Sequence, residues 1–92
     1  MITHFADRRL RELHFQGDGR RLPPALVAKL ERILDDLDEA SEPAQMARPS
    51  YRLHQLRGDL AGFWSVRVSG NWRMIFRFDG GNIRDVRLID YH

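Results

Sequence analysis

No cysteine occurs in this chain, so neither a disulfide framework nor a thiolate metal site or thiol nucleophile is available to it. Long apolar runs are missing too. Nothing approaches the ~18 consecutive apolar residues of a membrane span, which argues against an integral membrane protein. The opening Met1-Ile2-Thr3-His4-Phe5 has no basic cluster and no long apolar stretch. That argues against a secretory signal and makes the cytoplasm the expected compartment. Also absent are a His-x-His pair, a His-Glu-x-x-His motif and an acidic cluster on a strand, so no metal and no other cofactor is expected. There are no repeats, low-complexity tracts or interdomain linkers. A chain of 92 residues has room for one core, and residues 1–92 are expected to form one domain of two packed layers.

Lysine is nearly absent as well: fourteen of the fifteen basic residues are arginine. The net charge of +2 hides an uneven distribution. Residues 1–47 hold seven Lys/Arg against nine Asp/Glu, whereas residues 48–92 hold eight Arg against four Asp. Arginine makes planar, bidentate contacts to phosphate and stacks on bases, so the basic half points toward RNA. Codon bias would give the same arginine excess.

Hydrophobic residues at 42% and charged residues at 30% fit a soluble globular protein rather than a disordered one. Ile2 to Phe5 reads as a short strand. Asp7 can N-cap a helix over 8–15 with Leu10 and Leu13 inward, ended by Gly17 and Gly19. Pro23-Pro24 opens a clearer helix, in which Leu26, Leu30, Ile33, Leu34 and Leu37 form one apolar stripe. Its end is acidic, with Asp35, Asp36, Asp38 and Glu39 facing the negative end of the helix dipole. Such a run is usually a solvated face; a docking site for a basic partner is the sharper alternative. Ser41 and Pro43 suggest one further helical turn. From Tyr51 onward the period becomes two. Trp64, Val66 and Val68 alternate with Ser65, Arg67 and Ser69; after a turn at Ser69-Gly70-Asn71, Trp72, Met74, Phe76 and Phe78 alternate with Arg73, Ile75 and Arg77. Asp79-Gly80-Gly81-Asn82 reads as another hairpin turn and 83–89 as the last strand. The fold class is therefore α+β: N-terminal helices on one face of a twisted, mainly antiparallel sheet. Both tryptophans belong to the core face. Arg73, by parity, projects from the other.

Cleaving RNA through its own 2′-OH requires a base, an acid for the departing 5′-oxygen, and positive charge on the phosphate. His54 and His92 are the two imidazoles of the basic half, and either can take a proton role. Asp90 can orient an imidazole or act as the base itself. Arg73 can hold the non-bridging oxygens, with Arg57 and Arg67 as further cations. Tyr91 can stack on a base or donate to phosphate. Each has a plainer reading: a half-exposed strand histidine, an ordinary hydrogen-bonded chain end, a turn asparagine at Asn71. No function is assigned to His4 or His14.

The segments Tyr51-Arg52-Leu53-His54-x-Leu56-x-Gly58-Asp59, Gly62-Phe63-Trp64-Ser65-Val66, Asn71-Trp72-Arg73-x-x-Phe76 and Asp90-Tyr91-His92 carry a resemblance. In this order and spacing they resemble the HigB toxins of the RelE/ParE superfamily, over nearly the whole chain. The resemblance implies a microbial-RNase-like α+β domain acting as the toxin of a type II toxin–antitoxin pair. Such toxins enter the ribosomal A site and cut the mRNA there, leaving a 2′,3′-cyclic phosphate and stalling translation. It implies a HigA-type helix-turn-helix antitoxin as partner, together with the ribosome and its mRNA. By matching positions, His54, Arg73, Asp90 and His92 are expected to be catalytic, and Asn71 and Tyr91 to bind substrate; Arg57 and Arg67, as further cations, are expected to bind substrate too. Two departures stand out: Arg57 occupies a position where lysine is common, and Ser69 one where some relatives have arginine. Alternation sets Arg67 on the same face as Ser69, where it can supply the charge. The competing readings are a ParE-like toxin that inhibits DNA gyrase without cutting RNA, and a basic RNA-binding module whose titratable groups are incidental.

Overall fold

The computed structural model describes residues 1–91; His92, one of the expected catalytic residues, lies outside the described residues. Helix α1 (Arg8–Gln16) starts where Asp7 accepts a hydrogen bond from the Arg9 backbone N–H. It stops at Gly17, whose φ of +67° is the left-handed C-cap conformation that glycine adopts without a Cβ clash. Pro24–Leu26 form a 3₁₀ turn that leads into helix α2 (Val27–Glu39). Leu30, Ile33, Leu34 and Leu37 of α2 are fully buried, as the apolar stripe requires. Pro43–Met46 add the short helical turn expected after Ser41.

The acidic end of α2 is more than a solvated face. Asp36 accepts a hydrogen bond from the Tyr51 hydroxyl and lies 3.4 Å from Arg48. Asp38 accepts the backbone N–H of Ile2 at 2.9 Å. Two of the four carboxylates thus tie α2 to distant segments.

Four strands follow: β1 (His54–Gln55), β2 (Trp64–Ser69), β3 (Trp72–Asp79) and β4 (Asn82–Asp90). They lie in sequence order, each antiparallel to the next. The regular sheet begins later than the two-residue period suggested. Residues 49–51 and 58–60 are 3₁₀ turns, and only two residues of the first segment form a strand. The N-terminal segment runs parallel to β4 through bridges at Ile2–Ile83 and Phe5–Val86. Both helices pack on one sheet face, against Val66, Val68, Met74, Phe76, Ile83, Val86 and Leu88. Trp64 and Trp72 are partly buried at the margin of that core. The other face is not purely polar: Leu56, Phe63 and Ile75 form a second, smaller buried cluster there, with Leu60 and Ile89 against it.

Two bulges break the alternation. In β4 the extra residue is Asp85, held at φ +56° and placed near His4, Arg77 and Arg84. In β2, Arg67 pairs with Arg73 but Ser69 pairs with Trp72, leaving Val68 as the extra residue. Paired residues share a face, so Ser69 belongs with Trp72 and not with Arg67. The expected common face of Arg67 and Ser69 is corrected by this bulge. Among the described residues, no helix is long and apolar enough to cross a membrane.

Candidate ribonuclease site

Cα partners in a ladder point the same way, so the register defines rows of side chains across the helix-free face. One row runs His54, Ser65, Ile75, Arg87. The next runs Arg67, Arg73, Ile89. With strands about 4.8 Å apart and a rise of about 3.4 Å per residue, the Cα atoms of His54 and Arg73 are roughly 12 Å apart. His54 and Arg67 are closer, at roughly 8 Å on the same reckoning. These are spacings that long side chains can bridge around one phosphodiester.

Arg73 is anchored locally. Its Nη1 donates to the carbonyl oxygens of Gly70 at 2.7 Å and Trp72 at 3.1 Å. The guanidinium is therefore drawn over the β2–β3 turn, at the rim of the sheet. Asn71, in that turn, accepts the Tyr91 backbone N–H at 2.7 Å. Arg73, Asn71 and Tyr91 are thereby gathered at one corner, and the Tyr91 side chain is 48% exposed there. Asp90 is exposed and pairs with Trp72, so by alternation it leaves the pleat on the side opposite Arg73, at the same rim. The structure thus brings Arg67, Arg73 and His54 to one face, and Asn71, Tyr91 and Asp90 to its edge.

His54 also borders an open groove of about 450 Å³, lined by Gln55, Leu56, Arg57, Gly58, Ala61 and Gly62. Gly58 at φ +66° and Gly62 at φ +94° shape this loop in conformations that disfavour any side chain. Arg57 is part of this lining. The groove is large enough for a nucleobase, and His54 and one expected cation, Arg57, both line it.

Some arginines are paired with carboxylates and others are not; Arg77 and Arg84 of the sheet face Asp85 and Asp79. Arg9, Arg20, Arg21 and Arg48 lie against carboxylates of the helical layer. Among the described residues, Arg57 and Arg67 pair with no carboxylate. Arg87 was missed by sequence reasoning. It is exposed, stands in the row of His54, and its guanidinium lies 5.5 Å from the centre of the Phe63 ring. Arg77 lies over the same ring at 4.4 Å. The available signal was the alternation of the last strand, which the bulge at Asp85 obscures.

A family model described as a HigB-like toxin, the RelE-like toxin of the type II toxin–antitoxin system HigB, matches residues 3–92. Over 92 residues the chain is 35% identical to Endoribonuclease HigB of Proteus vulgaris, covering 100% of both proteins. It is 31% identical over 83 residues to Toxin HigB-1 of Vibrio cholerae, covering 88% of this chain and 87% of that protein. Among solved structures, a chain of the YoeB–YefM complex from Staphylococcus aureus superposes with a TM-score of 0.64 at 16% identity, over 100% of this chain and 98% of that one. A YoeB/ParE toxin from Agrobacterium tumefaciens gives 0.62 at 18% identity, over 97% and 99%. At these identities the two structures speak for the fold alone.

Proposed function

The chain belongs to the HigB-like toxin family, RelE-like toxins of type II toxin–antitoxin systems, and from that membership we propose that it is an endoribonuclease cutting mRNA in the ribosomal A site. Its antitoxin would be a HigA-type helix-turn-helix protein, and its place of action the cytoplasm, where translation occurs. In the reaction, the 2′-oxygen loses its proton to a base and attacks the adjacent phosphorus. The P–O5′ bond breaks, and an acid delivers a proton to the departing 5′-oxygen. The products are a 2′,3′-cyclic phosphate and a 5′-hydroxyl. His54 and His92 are the proton carriers of this reading, with Asp90 orienting an imidazole or sharing the base role. Arg73 would stabilise the charge that builds on the non-bridging oxygens, while Asn71 and Tyr91 position the nucleotide. Arg67 and Arg57 would hold flanking phosphates.

One observation carries this reading beyond family membership: His54, Arg67 and Arg73 occupy adjoining rows of one sheet face, and among the described residues Arg67 pairs with no carboxylate. A gyrase inhibitor that acts by binding needs no imidazole beside phosphate-binding cations. A translation extract programmed with a defined mRNA provides the test. Cleavage within codons that requires ribosomes is expected. Intact mRNA with inhibited supercoiling would instead identify a gyrase poison, and RNA retardation without either effect a simple binding module. In the same assay, Arg73→Ala and His54→Ala should each lose on the order of 10²–10⁴ in cleavage rate while still binding the antitoxin. Wild-type cutting by both variants would displace the site.

A further inference from the structure

β4 is an outer strand, so its outward N–H and C=O groups need partners from outside the sheet. Along its first half the N-terminal segment supplies them. Ile83 N–H donates to the Met1 carbonyl at 2.9 Å, Thr3 N–H to the Ile83 carbonyl at 2.7 Å, and Ala6 N–H to the Val86 carbonyl at 3.0 Å. After Asp7 the main chain turns away into α1. The next outward N–H, that of Leu88, is buried and beyond reach of that backbone.

The Asp7 carboxylate takes over at this point. One oxygen accepts from the Arg9 backbone N–H and from Arg9 Nε, both at 3.0 Å. The other accepts from Arg9 Nη2 at 2.8 Å and from the Leu88 N–H at 3.1 Å. Asp7 is one of two polar residues buried among those described, and it continues the edge ladder one rung further with its side chain. Two residues beyond Leu88 comes Asp90, and then Tyr91, whose N–H is held from the inner side by the Asn71 carbonyl.

We infer that Asp7 is a positioning residue: by holding Leu88 on the outer edge of β4, it fixes the strand that presents Asp90 and Tyr91 to the substrate. The inference rests on the proposed role of that strand end in cleavage. Asp7 touches no reacting atom and acts through the backbone of β4.

Asp7→Ser is the informative variant, because serine still caps the helix at the Arg9 N–H but has no second oxygen for Leu88. Arg9→Ala is its comparator. It removes the ion pair at the same corner and leaves the Leu88 bond in place. Amide hydrogen exchange in Asp7→Ser should speed up at Leu88 and Tyr91 by about tenfold or more, with α2 and β3 still protected. The kcat for ribosome-bound mRNA should fall about 10–100-fold with KM changed less than about twofold, as expected for loss of alignment without loss of binding. Arg9→Ala should retain kcat. Wild-type kcat in Asp7→Ser, or an equal loss in Arg9→Ala, would overturn the inference. Should Asp7→Ser fail to fold, Asp7→Thr gives the same reading, since threonine also caps at the Arg9 N–H and has no second oxygen for Leu88. If the wild-type protein cuts no RNA, the proposed activity falls, and the exchange experiment decides on Asp7 by itself: unchanged protection at Leu88 and Tyr91 refutes the clasp.

Discussion

Tyr51 shows how far a single polar group can be displaced by its setting. Burial, and then the hydrogen bond it donates to Asp36, push its phenol from about 10 up to about 12. A folded-state pKa above the unfolded one means that the native protein keeps its proton longer. The stabilisation is complete below pH 10 and is lost as pH rises from 10 through 12. Urea midpoints measured across that window should therefore fall steeply for the wild type and more gently for Tyr51→Phe. Asp7 works in the opposite direction. Burial raises its carboxyl, but the Arg9 side chain and the Leu88 N–H outweigh that and hold it below the ordinary range. Its contribution is present above about pH 3.8 and disappears as pH falls through the lowered value. The helix-capping role of Asp7 was legible, because an acidic residue just before an apolar period is a local signal. Its second bond spans 81 positions, and no local pattern encodes that.

Elements with an uninterrupted period were legible, and those with a shifted one were not. The α2 stripe predicted the buried set Leu30, Ile33, Leu34 and Leu37, all at 0% exposure. Leu34→Ala should accordingly cost about 2–5 kcal/mol, the upper part of the range if the helices cannot close over the void, as read from urea unfolding. The strands were also visible as a period of two, and the parity of Arg73 survives because no bulge separates it from Met74 and Phe76. The bulges at Val68 and Asp85 each add one residue to one strand. Everything beyond them changes face relative to simple counting. Ser69 was misassigned for that reason, and Arg87 went unremarked although it stands in the row of His54. Similarly, β1 has two residues because 3₁₀ turns flank it on both sides. Its position in the sheet comes from pairing with β2, which alternation within the segment does not report.

Over the whole molecule, the division of charge noted in the sequence acquires a direction. Arg9, Arg20, Arg21 and Arg48 lie against carboxylates of the helical layer, and Arg77 and Arg84 against Asp85 and Asp79 at the far end of the sheet, whereas among the described residues Arg67, in the row of Arg73, pairs with no carboxylate. An RNA strand approaching the protein meets attraction from the helix-free face and a mixed field elsewhere. This can be separated from a mere effect of net charge. Arg67→Ala and Arg20→Ala each remove one positive charge, but Arg20 is exposed and already bound to Asp18 at 2.9 Å. Binding of a short single-stranded RNA, followed as a function of salt, measures how many phosphate contacts are made. Arg67→Ala should lower the magnitude of the slope of log K against log salt by about 0.7, the value for one contact on a single strand, while Arg20→Ala leaves it unchanged. Equal slopes for the two variants would mean that the protein attracts RNA only through its overall charge, and that the helix-free face has no privileged part in holding it.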